Sequence, residues 1–287
     1  MGDLAAQFDL YRQRINQIMP DLKVESAELN QDGLVNDVVV VNRQWIFRFA
    51  KNEYGVNALA SELQVMDALH GQVLLAVPDP VYRSSDCIAY RFIPGQPLTP
   101  ALFQALRLNV QTEIARQLGE FLTTLHQIGT PELPHTVAPV TSEPWEKMRL
   151  GIESKVYPLL LPHQKTWASE LLTFLDKDQN FEYAPGLIHG DLASYHLLYD
   201  SEHQRMSGVI DFGTSGLGDP ASDFGCLLQN YGRGFLQQLA PFYANLDVFL
   251  PRARFYAQAI ELQWVLLGLE NKEDFWFAAH LGGARDL

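Results

Sequence analysis

The run HGDLASYHLL, His189 to Leu198, holds two histidines and an aspartate between the apolar pairs Leu187-Ile188 and Leu197-Leu198. A second apolar run, Val209-Ile210, ends at Asp211, followed by Phe212-Gly213. Apolar runs broken by polar tips read as strand–loop–strand, which brings Asp191, His196 and Asp211 to one rim. One carboxylate there can orient or deprotonate a hydroxyl while the other groups hold a divalent ion, the requirement of phosphoryl transfer. The same residues, with His189, would also serve as the zinc or two-metal centre of a hydrolase. Both chemistries stay open on these residues alone.

Elements must be found that could carry such a rim. Leu4, Phe8, Tyr11, Ile15 and Ile18 recur at helical spacing. The period then shortens: VESAELN, LVNDVVVVN and QWIFRFAK are β-branched and aromatic runs with turn-formers between them, giving three antiparallel strands. VNALASELQVMDALHG returns to helical spacing and stops at Gly71. PDPVYRSSDCIAYRFIPG reads as two more strands with a turn near Ser84-Ser85. After Pro94, Gly95 and Pro97 the chain turns mostly helical, with helices over 110–129, 164–175 and 252–269 and a loop at TPELPHTVAP. The expectation is an α+β protein in two lobes: residues 1–93, sheet-rich, and 94–287, helical and carrying the catalytic run. Clefts between such lobes are common ligand sites.

Composition sets limits. With 287 residues, 47% hydrophobic and 19% charged, the chain can build a sizeable core. A formal charge of −13 disfavours nucleic acid and suits a cationic small molecule. No stretch reads as a membrane span or a signal peptide, and Cys87 and Cys226 are too few for a disulfide framework, so a cytoplasmic location is expected. Nothing calls for an obligate protein partner. The absence of a Gly-x-x-x-x-Gly-Lys-Ser/Thr run removes the P-loop enzymes.

Six motifs in order resemble the aminoglycoside phosphotransferase family, protein-kinase-like enzymes acting on small molecules. They are Gly33 to Asn36, the strand Ile46-Phe47-Arg48-Phe49, Glu62, His189-Gly190-Asp191 with His196, Ile210-Asp211-Phe212-Gly213, and Gly218-Asp219-Pro220 with Asp223. The resemblance implies a protein-kinase-like bilobal fold and transfer of a γ-phosphoryl group from ATP or GTP, with Mg2+, to a hydroxyl of a small molecule. It makes Asp191 the catalytic base, and Asp211 and His196 the metal neighbours. Gly33, Asn36, Arg48 and Glu62 would hold the nucleotide phosphates, and Tyr90, Phe92 and Ile93 would line the hinge. His189, Asp219 and Asp223 would be structural, Asp223 either capping a helix or bracing the catalytic loop. Arginine at 48 replaces the usual lysine of kinases, and a guanidinium can grip phosphate in a fork. Histidine at 196 replaces the asparagine of protein kinases; the 2″-aminoglycoside and macrolide branches carry histidine there, and the former is the nearer in look.

The short span from Gly213 to Gly218 leaves no room for a peptide-binding activation segment, so the acceptor is a small molecule on the helical side. Glu261, Glu270, Glu273 and Asp274, with Trp264 and Trp276 among them, would suit an amine-bearing sugar, although a solvated helix face explains the same acids. An aminoglycoside leads, a macrolide or a metabolic amino alcohol follows. A hydrolase, or a nucleotide binder without turnover, is the reading from another class. His70, His126, His135, His163, His203 and His280 form no cluster and are expected at surfaces or helix ends.

Overall fold

The computed structural model describes residues 2–31, 35–128 and 143–271. Helix α1 (Gly2–Ile18) precedes strands β1 (Ala27–Asn30), β2 (Asn36–Val41) and β3 (Trp45–Ala50). Helix α2 (Glu53–Leu69) and strands β4 (Pro80–Arg83) and β5 (Cys87–Arg91) follow, closing an antiparallel sheet in the order β1-β2-β3-β5-β4. Asn52 starts α2: its side chain accepts from the Gly55 N–H at 3.0 Å and satisfies a donor the first turn would leave free.

Strand β3 is buried on both faces, which explains its unbroken apolar run. Phe47 and Phe49 pack with Val39, Val41 and the α1 residues Tyr11 and Ile15, and the Tyr11 and Phe49 rings stack at 4.6 Å. Ile46 faces the other way, with Leu59 and Met66 of α2 and Ile88 and Tyr90 of β5. Arg48 shares that second face and is buried too.

The chain then passes through Phe92-Ile93-Pro94 into β6 (Gln96–Pro97), α3 (Pro100–Ala105), α4 (Leu108–Gln127), α5 (Glu143–Gly151) and α6 (Pro162–Leu172). Strands β7 (Gly186–Ile188), β8 (Leu197–Asp200), β9 (Arg205–Val209) and β10 (Gly216–Gly218) form two small sheets, and α7 (Ala221–Tyr231), α8 (Arg233–Leu239) and α9 (Leu246–Asn271) end the described chain. A core of Ile114, Leu118, Leu122 and Leu125 from α4 meets Leu197, Val209, Phe212 and Phe224. The β8–β9 hairpin is thereby fixed on its helical side. Its upper edge is tied to the loop after α2: the Val209 N–H donates to the Ala76 carbonyl at 2.9 Å. A β-carbon on Gly208 would meet that carbonyl oxygen at 2.5 Å, so only glycine fits.

The architecture is the α+β arrangement expected, a sheet followed by a mostly helical remainder. The last helix is longer than its periodicity suggests, beginning at Leu246 and running through Pro251. A proline forbids only the bond one turn back, and packing against α7 outweighs that loss here. The approach of the two helices is close, for a β-carbon on Gly225 would lie 2.8 Å from that of Tyr256. The TPELPHTVAP loop lies outside the described residues.

Candidate active site

The chemical groups come from both parts of the chain. Arg48 projects from β3 and Glu62 from α2, and the two form a buried ion pair. Burial opposes the Arg48 charge, but Glu62, Tyr90 and Asp211 more than restore it. Tyr90, buried beside this pair, has its phenol pushed up to about 12, chiefly by burial. Asn36 opens β2, buried, and its side-chain oxygen has no hydrogen-bond partner among the described residues. Gly33 lies outside the described residues.

The loop between β7 and β8 supplies Asp191 and His196. Gly190 turns it with φ +80°, a conformation glycine adopts without cost. His189 is fully buried: its Nδ1 accepts from the Asp191 N–H at 3.2 Å and its Nε2 faces the Ile210 carbonyl at 3.1 Å. That pairing suits the neutral ring with hydrogen on Nε2, and burial lowers the His189 pKa accordingly. Beneath the loop, Asp223 accepts from the His189 and Gly190 N–H groups, each at 2.9 Å, and from His126 at 3.1 Å. Burial works against its charge, yet His126, His189 and these donors hold it below the usual carboxylate range.

Asp223 therefore braces the loop and does not cap α7, whose N-cap is Pro220 with no side-chain cap bond. Nor is His126 a surface residue. It ends α4 but is buried, its Nδ1 paired with the Tyr243 hydroxyl at 2.9 Å. Asp219 takes the Ala221 N–H at 3.0 Å, Arg252 Nε at 2.5 Å and the Tyr256 hydroxyl at 3.0 Å.

Asp211 closes the cluster, with φ 67° in the left-handed region that aspartate tolerates better than most residues. Its carboxylate lies 3.4 Å from Arg48 Nη2 and 3.4 Å from His196 Nε2. Burial would raise its pKa, but His196, Arg48 and His189 hold it far below the ordinary value. His196 Nδ1 lies 2.9 Å from the Asp191 carbonyl oxygen, which can only accept, so that nitrogen carries hydrogen. Burial lowers the His196 pKa, but the bonds to Asp211 and Asp191 override it and raise the net value. Asp191, in contrast, is pushed up by burial, with His196 and His189 pulling the other way. A carboxylate whose pKa is raised is a stronger proton acceptor, and one held ionised suits a cation.

The geometry therefore brings Arg48, Glu62, Tyr90, Asp191, His196 and Asp211 together. Phe92 and Ile93 stand apart, lining a cavity of about 590 Å³ with Leu75, Val77, Arg205 and Ser207. Glu261 already accepts from Gln229 Nε2 at 2.5 Å, and Glu270 pairs with Lys155 at 2.6 Å. Glu273, Asp274 and Trp276 lie outside the described residues. Sequence reading missed Asn230, whose oxygen takes the Ser194 N–H at 3.2 Å, and Tyr195, whose ring meets that of His196 at 4.4 Å. Only the place of Tyr195 inside the HGDLASYHLL run could have singled it out.

Among the described residues no three His, Cys, Asp or Glu side chains are grouped to hold a metal. A zinc or two-metal hydrolase needs such a cage. Magnesium on nucleotide phosphates needs only one or two protein oxygens, and the ionised, half-exposed Asp211 fits that demand.

A family model described as a phosphotransferase enzyme family matches residues 26–256. Viomycin phosphotransferase of Streptomyces vinaceus is 25% identical over 239 residues, covering 79% of this chain and 81% of that protein. The GDP and kanamycin complex of APH(2″)-IIIa superposes with a TM-score of 0.86 at 26% identity, over 96% of both chains. A macrolide 2′-phosphotransferase type I shares the fold, with a TM-score of 0.73 at 18% identity over 99% of this chain and 98% of that one.

Proposed function

Since the chain belongs to the phosphotransferase enzyme family, a family of nucleotide-dependent kinases with the kinase-like fold described above, we propose that it phosphorylates a hydroxyl of a small cationic antibiotic, an aminoglycoside first. The observation carrying this reading is the cluster of two carboxylates, Asp191 and Asp211, on either side of His196, with Arg48 3.4 Å from Asp211. Asp191 orients the acceptor hydroxyl and takes its proton as the phosphoryl group arrives, and its raised pKa suits it to that task. Arg48, locked by Glu62, grips the nucleotide phosphates in a fork. Asn36 approaches the same phosphates from β2, and Gly33, outside the described residues, is given the same role on sequence alone. Asp211, with His196 beside it, would hold Mg2+, which would neutralise phosphate charge when bound. Tyr90 borders the base of ATP or GTP where residues 1–93 meet residues 94–287, while Phe92 and Ile93 carry the chain across and line the separate cavity.

The acceptor enters from the helical side, where Glu261 and Glu270 offer carboxylates to its amines; Asp274 and Trp276, given the same role on sequence alone, lie outside the described residues. Glu270 would exchange Lys155 for an acceptor amine. Viomycin and kanamycin, named with the relatives, head the panel. No described helix is long and apolar enough to cross a membrane. With Cys87 and Cys226 free and buried, we assign the protein to the cytoplasm, working without nucleic acid or an obligate protein partner.

The test is nucleoside diphosphate release from ATP and from GTP, with magnesium, across aminoglycosides, viomycin, macrolides and small amino alcohols. Acceptor-dependent release names donor and acceptor together. Nucleotide binding with no acceptor-dependent release from any member overturns the reading.

A further inference from the structure

Between Asp191 and Asp200 every side chain is buried or half-buried except one. Tyr195 is 58% exposed, in the middle of the run that carries the base. Its neighbours explain where the ring must stand. Leu192, Ala193, Leu197 and Leu198 are buried. Asn230 of α7 pins the loop backbone at Ser194, so the next residue cannot swing freely. The Tyr195 ring meets His196 edge-on, at 4.4 Å between centroids and 77° between planes. One part of the ring is thus spent on fixing the imidazole, and the rest faces solvent beside Asp191.

Burying a tyrosine ring is worth more than leaving it wet, and exposing one costs apolar surface. No packing need accounts for it here, because the loop is already held by Asn230, His189 and Asp223. What the position offers is an exposed ring against His196, whose two ring nitrogens lie 3.6 Å and 3.4 Å from the Asp191 and Asp211 carboxylates. Rings of this kind stack on the C–H face of sugars and attract ammonium groups through the π-system. Its hydroxyl, pushed up to about 12 first by burial and then by Asp191, remains a neutral donor.

Resting on the function proposed above, we infer that Tyr195 is a specificity-determining residue: its exposed ring forms the wall on which the acceptor's amine-bearing ring lies while its hydroxyl meets Asp191. The ring selects acceptors with a flat cationic face over simple alcohols. It does so without touching the nucleotide, which lies across Asp211 toward Arg48.

The experiment compares wild type with Tyr195→Ala and Tyr195→Phe, measuring KM for the preferred acceptor and for the nucleotide. Tyr195→Ala should raise the acceptor KM about tenfold, the size expected for a lost aromatic–cation contact. The nucleotide KM should stay within about twofold, and Tyr195→Phe should restore most of the loss. The preference for the cyclic amine over a small amino alcohol should shrink in parallel. An unchanged acceptor KM in Tyr195→Ala overturns the assignment, and so does an equal rise in both KM values, which would mark a merely structural ring. If wild type transfers phosphate to no acceptor in the panel, the underlying function fails and this inference falls with it. Transfer by wild type with no response at Tyr195 removes the inference alone.

Discussion

Arg48 of β3 and Asp211 beyond β9 stand 3.4 Å apart, although 163 residues separate them in the chain. This contact is where the sheet and the helical part meet across the cleft. It joins the buried Arg48–Glu62 pair to the Asp211–His196–Asp191 chain, so the proposed phosphate grip, cation site and base form one connected set. A change at any member is therefore expected to reach its neighbours.

Asp191→Asn removes the proton acceptor and keeps its shape. The expected result is a fall in kcat of about 10² to 10⁴, the usual range for a lost general base, with nucleotide KM nearly unchanged. Steady-state kinetics decide it, and turnover at the wild-type rate would mean that another group takes the proton.

Glu62→Gln leaves the Arg48 guanidinium buried beside a neutral amide. Breaking one side of a buried pair costs about 3–5 kcal/mol, so a clear drop in Tm is expected together with a raised nucleotide KM. The double change Arg48→Met with Glu62→Met should recover much of the stability and none of the nucleotide binding. A double variant that still binds nucleotide normally would move the phosphate grip elsewhere.

His189 is held neutral by burial, with its pKa depressed. The unfolded chain then binds the extra proton more readily, so this residue's contribution is full at neutral pH. It is lost as pH falls below the unfolded value of about 6.5. His196 has a raised pKa and acts with the opposite sign, so the wild-type curve mixes the two. The difference in unfolding free energy between wild type and His189→Gln separates them: it should shrink from pH 7 to pH 5. A difference that is flat across that window would place His189 in contact with solvent.

Gly208→Ala places a methyl group 2.5 Å from the Ala76 carbonyl oxygen and 2.8 Å from the Ile93 side chain. A loss of about 1–3 kcal/mol is expected from the forced shift, read by urea denaturation. Unaltered stability would show that the loop after α2 yields easily.

Much of this was legible in the residues because it was local. The valines of β2 and the aromatic run of β3 announce strands, and HGDLASYHLL with Ile210-Asp211-Phe212-Gly213 announces the chemistry. What escaped was long-range. His126 and Asp223 are 97 residues apart, and nothing near His126 signals a buried partner. Asn230 and Arg252 gain their roles only when α7 and α9 fold back on the loop. The early start of α9 was hidden by Pro251, a breaker in isolation that tertiary packing overrides. The acids of the last helix were read for charge alone, which cannot show that Lys155 and Gln229 already engage two of them.

The backbone bridge between Ala76 and Gly208 has a mechanical consequence. Together with the chain crossing at Phe92–Pro94, it gives the two halves a pair of fixed points on one side of the molecule. Sliding would break one of them, whereas turning about the line through both breaks neither. The expected soft motion is a swing that would separate Arg48 from Asp211 at the far end, and on the proposed function the release of spent nucleotide would then follow how fast those two charges part.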